Sequence, residues 1–135
     1  MNKINFDELL AKRNQRKLDE VKVCQIPIPN TDDKYLVATM PSDAKIMKWL
    51  GQVRNGDTES LFDAIDDAIY TCCSALQDQK LREAIGAQVP TDIVPLLFSV
   101  AERNQMGYDV LKFVGIFKDN EDDENDKESE DIVKN

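Results

Sequence analysis

From Glu59 to Leu76 apolar residues recur at helical spacing: Leu61, Phe62, Ile65, Ile69, Cys72 and Leu76 share one stripe behind Asp57 or Thr58 as a cap. This is the strongest helix signal in the chain, and so long a stripe needs other elements to cover it. The neighbouring segments are helical too. Ser42 caps a helix with Ile46, Trp49, Leu50 and Val53 at i, i+3, i+4 and i+7, closed by Asn55 and Gly56. A shorter helix runs from Gln79 to Ile85 and stops at Gly86. Thr91 caps the next, whose apolar set is Ile93, Leu96, Leu97 and Val100, with Pro95 inside its first turn, where a missing amide does little harm. After Asn104 and Gly107, Tyr108 to Phe117 forms a last helix with Val110, Leu111 and Val114 inward.

The chain opens differently. Residues 5 to 18 predict a first helix: Asn5 is the N-cap, Glu8 completes a capping box, and Phe6, Leu9 and Leu10 mark one apolar side. Lys12, Arg13, Arg16 and Lys17 follow on one solvated flank at the negative end of the helix dipole. Val21 and Val23 then alternate on one parity and Ile26 and Ile28 on the other, which predicts a strand with a bulge or strong twist near Cys24 and Gln25. Pro27 and Pro29 confine that strand to an edge or end it early. Asn30 to Asp33 is a polar turn, and Lys34 to Met40 is rich in strand formers, so the economical interpretation is a β-hairpin lying against helices.

Residues 118–135 cannot bury enough surface to offset chain ordering, because only Ile132 and Val133 are apolar, and a disordered acidic tail is expected. The predicted fold class is therefore α+β, mostly α: an N-terminal helix, a β-hairpin, about five packed helices in a domain of residues 1–117, and the tail at 118–135. Charge divides along the same line. The chain carries 17 basic and 26 acidic residues, net −9. The tail holds three lysines against nine acids, or −6, and the body 14 basic against 17 acidic residues, or −3. This balance disfavours binding to phosphate backbones.

Chemistry is scarce. The chain has no histidine, which removes the usual general base, the commonest metal ligand and every His-dependent triad. Cys24, Cys72 and Cys73 show no CxxC spacing and read as reduced, small apolar side chains. Asp63, Asp66 and Asp67 lie at i, i+3 and i+4, the spacing that holds magnesium with a diphosphate, but no second acidic helix faces them inside the body, so a solvated helix face is expected. Asp119, Glu121, Asp123 and Glu130 scan as a calcium loop, yet Glu124 stands where the turn-making glycine belongs. Neither catalytic residues, cofactor nor metal is expected, and an enzyme is not predicted. The N-terminus lacks the apolar stretch of a secretory signal and no apolar run reaches membrane-spanning length, so a cytoplasmic location is expected.

Several stretches carry a family likeness: the opening NFDELLAKR, the two-strand segment VKVCQIPIP and KYLVATMPSD, then LREAIGAQVPTDIVPLLFSVAERNQMGYDVLKFVGI, and the closing IVKN. On these the chain resembles the small tail assembly chaperones of long-tailed bacteriophages and of phage-like elements in Gram-positive bacteria. It departs from their pattern in its acidic tail and in Pro95. The resemblance implies a nonvirion factor that coats the helical tape measure protein, keeps it soluble and helps recruit tail tube protein. Such a role suits a small acidic helical protein, which covers an apolar partner helix by helix-in-groove contacts and keeps the complex soluble by repulsion. Trp49, Leu50, Leu96, Leu97 and Val110 are the candidate partner-binding residues, lining or supporting the groove; the alternative places all five in the core. A hairpin edge and apolar helix faces also permit a homo-oligomer. The competing expectation is an acidic inhibitor that mimics nucleic acid and blocks a host DNA-binding enzyme.

Overall fold

The structure, a computed structural model, describes residues 1–118. The expected disordered tail beyond Lys118 and the scanned calcium loop lie outside the described residues. The described part is mostly helical with one antiparallel hairpin: α1 (Phe6–Asp19), β1 (Val23–Pro27), β2 (Tyr35–Thr39), α2 (Asp43–Arg54), α3 (Thr58–Cys72), α4 (Gln79–Ile85), α5 (Ile93–Leu97) and α6 (Val100–Phe113). Single 3₁₀ turns at Ser74–Gln77 and Pro90–Asp92 join α3 to α4 and lead into α5. No helix among the described residues is long and apolar enough to cross a membrane.

The predicted central helix is the centre of the core. On α3, Ala64, Ile65, Ala68, Ile69 and Cys72 are buried. It packs chiefly against α6 on one side and α2 on the other. Its end comes earlier than its periodicity implies: Cys73 turns extended, with φ −106° and ψ 90°, and the chain continues as the 3₁₀ turn that still buries Leu76. Gln77 explains the stop. Its side-chain amide donates to the carbonyls of Tyr70 and Thr71 at 2.9 and 3.1 Å, satisfying acceptors that a helix end leaves open.

The hairpin pairs Val23 with Thr39 through Pro27 with Tyr35 in an unbroken register, so the bulge expected near Cys24 and Gln25 is absent. The parity conflict disappears because Val21 precedes the strand and Val23 lies on its solvent face. Cys24, Ile26, Leu36 and Ala38 point inward, Ile26 and Ala38 being fully buried, while Val23 and Val37 face outward. At the turn, Asn30 and Asp33 take positive φ of 63° and 59°, a conformation their short polar side chains tolerate.

The C-terminal third needs the largest correction. Instead of one helix through Val100 and another from Tyr108, the chain makes a five-residue α5, an extended Phe98, and a 14-residue α6 that begins at Val100. Ser99 is the cause: with Glu102 it forms a full capping box. Gly107, read as a helix break, lies inside α6 where the helix meets α3. A Cβ there would stand 2.5 Å from Ile65 Cγ2, so the glycine serves close approach. The helix closes at Gly115, φ 93°, with the Ile116 amide bonded back to the Leu111 carbonyl at 2.9 Å.

Candidate protein-binding surfaces

Among the polar groups, the acidic triplet of α3 is neither a metal site nor a solvated face. Asp63 is exposed, but Asp66 and Asp67 brace the core helices. Trp49 Nε1 donates to Asp67 Oδ2 at 2.8 Å, Thr71 donates to Asp67 Oδ1, and Lys45 and Lys48 approach the same carboxylate. Burial pushes the Asp67 carboxyl up, but the indole N–H and the two lysines outweigh it and hold the group below its ordinary value. At Asp66, burial wins over the Arg103 guanidinium, which donates a single bond of 2.8 Å, and the carboxyl is pushed up. Arg103 also lies over the Phe62 ring, 5.4 Å from its centroid. These contacts fasten α3 to α2 and α6.

The cysteines are equally inert. Burial raises the Cys72 thiol to about 12 and the Cys73 thiol to about 11, and Cys24 moves in the same direction for the same reason. All three are free thiols. No cluster of acidic and thiol side chains among the described residues is arranged to hold a metal ion. An open depression of ≈ 630 Å³ between β1 and the end of α6 is lined by Cys24, Pro27, Asp109, Lys112 and Phe117, without an activated nucleophile.

Apolar surface is more plentiful. The five candidate partner-binding residues divide by position. Trp49 and Val110 are fully buried in the hydrophobic core, as the alternative reading has it, and cannot touch a partner. Leu50 is half-buried. Leu96 and Leu97, on α5, are 56% and 40% exposed, and Val100, at the start of α6, and Val89, before the 3₁₀ turn that leads into α5, are also open. The reason lies in the corrected helix boundaries: α5 is too short to turn both faces inward, and it spends its inward positions on Ile93 and Val94. Among the methionines, Met106 is core and Met47 is exposed.

A second apolar surface was only half visible in the sequence. None of the residues of α1 is buried, and Phe6, Leu9 and Leu10 stand open to solvent. Arg16 ties the helix to the body by donating to both carboxylate oxygens of Asp43, each at 2.7 Å. The signal for exposure is the brevity of the stripe: beyond Leu10 its next helical positions are Arg13, Asn14 and Lys17, which no core accepts. The outer face of the hairpin, with Val23, Tyr35 and Val37, is open as well.

No protein-family model matches the chain, and comparison with curated proteins and with solved structures finds nothing similar.

Proposed function

We propose that the protein is a tail assembly chaperone, a cytoplasmic factor that binds the apolar stripe of a long helical tape measure protein, keeps it soluble and helps recruit tail tube protein around it. The observation that carries this reading is the open corner of α5 and the start of α6, where Leu96 and Leu97 are left unburied by an otherwise well-filled helical body. An amphipathic helix offers such a corner an i, i+3, i+4 row of apolar anchors. The family resemblance in the stretch from Leu81 to Val114 supports the same assignment.

Co-expression with a tape measure fragment tests it. The fragment should become soluble with this protein and remain insoluble with a Leu96→Asp, Leu97→Asp variant; unchanged fragment solubility with the unaltered chain would sink the reading. The competing inhibitor reading requires carboxylates displayed as a nucleic-acid mimic. In the body many are engaged instead, Asp43 by Arg16, Asp66 by Arg103, Asp67 by Trp49 and Glu102 by Asn30. Removal of residues 118–135 separates the two: a chaperone keeps its partner affinity, whereas a tail-driven mimic loses binding that was steeply salt-dependent.

A further inference from the structure

We infer that α1 is a self-association helix: its open Phe6, Leu9 and Leu10 face seats on the same face of a second copy, the two helices antiparallel about a two-fold axis near Leu10. The inference goes beyond the chaperone reading and stands whether or not a tape measure protein binds.

Three observations lead there. First, a 14-residue helix with no buried residue is marginal in water by itself, since helices of about 12–15 residues gain most of their stability from packing. Its capping box and its charge arrangement favour the helical form, but its apolar side still lacks cover. Second, the charges select the orientation. The first turn is acidic, with Asp7 and Glu8, and the second half is basic, with Lys12, Arg13 and Lys17. Antiparallel pairing lays the acidic end of one helix beside the basic end of the other, whereas parallel pairing lays basic beside basic. With Leu9 and Leu10 near the axis, Phe6 falls opposite Arg13 of the second copy, a pairing of ring face and guanidinium. Third, the body attaches at the C-terminal end of α1, and Arg16 is occupied with Asp43 on the flank of the stripe. An antiparallel pair therefore carries its two bodies at opposite ends, clear of each other.

Other occupants fit less well. The chain's own segment 119–135 has the charge to meet the basic half, but only Ile132 and Val133 to cover the apolar one. An anionic lipid surface meets a chain of net charge −9. Two helices of this length bury an area at or below the lower end of specific interfaces, about 1,000 Å² in total, so the dimer is weak and dissociates on dilution.

Sedimentation equilibrium of the full chain is the test. The average mass should rise with concentration from 15.3 kDa towards twice that value. A Leu9→Glu, Leu10→Glu variant should bind itself at least tenfold more weakly with its body still folded by circular dichroism. Asp7→Lys, Glu8→Lys in one chain and Arg13→Glu, Lys17→Glu in another should each weaken self-association, and mixing the two should restore it as a heterodimer. A chain that stays monomeric at several hundred micromolar overturns the inference. So does a dimer indifferent to the Leu9, Leu10 variant, which would place the contact on the hairpin, and so does dimerisation that appears only after removal of residues 119–135, which would make that segment the occupant.

Discussion

Trp49 shows how a single side chain can serve two elements. Its ring fills the space between α2 and α3, and its N–H holds the Asp67 carboxylate. Trp49→Phe keeps most of the ring and removes that hydrogen bond to a charged acceptor, so a loss of about 2 kcal/mol is expected in urea unfolding at pH 7, followed by circular dichroism. The pH dependence has a definite sign. A carboxyl whose folded value lies below its ordinary 3.8 contributes stability that is fully present above that value and lost as pH falls through the folded one. The variant weakens this contribution, so the gap between it and the wild type should narrow from pH 7 to pH 3. A gap that is constant or grows would mean that Asp67 is not held by the indole. Sequence periodicity placed Trp49 on the inward stripe of α2 but gave no sign of its partner, because Asp67 looked like one of three equivalent acids. Only packing distinguishes an acid beside an indole from one facing water.

At the level of elements, the helix with the clearest stripe was located correctly except for its last turn, and the segments around residue 100, where signals are mixed, were not. Helix α4 follows its caps, Asp78 and Gly86, and α2 follows Ser42. Around residue 100 two competing punctuators misled: Gly107 resembles a stop, and Val100 resembles a continuation of the preceding stripe. The capping box of Ser99 and Glu102 decides the register, and Gly107 then falls at the crossing of α6 with α3. Gly107→Ala provides the check. Helix propensity alone favours alanine by about 1 kcal/mol. The added methyl meets the branched, buried Ile65, and overpacking of that kind costs about 1–3 kcal/mol, so net destabilisation is expected. In the Gly107→Ala background, Ile65→Ala should cost less than it does alone, a coupling that thermal or urea unfolding of the four-member cycle resolves. A stabilised Gly107→Ala would mean that helix propensity outweighs the contact with Ile65 and that the crossing does not require a glycine.

For the whole molecule, the sequence conveyed the class of fold, mostly helical with one hairpin, because amphipathic periods and prolines are local signals. The division between a packed body and a protruding first helix was not conveyed. Phe6, Leu9 and Leu10 have the spacing of a core face, and whether such a face is covered depends on the path of the chain after Glu20. The candidate contacts fared similarly: Leu96, Leu97, Trp49 and Val110 all lie on apolar stripes, yet the first two are open and the last two are closed. Trp49 is the chain's one tryptophan, and α1 contains neither tryptophan nor tyrosine. The molecule thus has an optical division built into it: indole fluorescence reports only on the body, while helical ellipticity reports on body and arm together. On heating, ellipticity should begin to fall before fluorescence changes, and higher protein concentration should move that early step upward and leave the fluorescence midpoint less affected. Coincident transitions at every concentration would mean that arm and body melt as one unit. A single buried indole thereby lets one sample report the behaviour of each part separately, without a label.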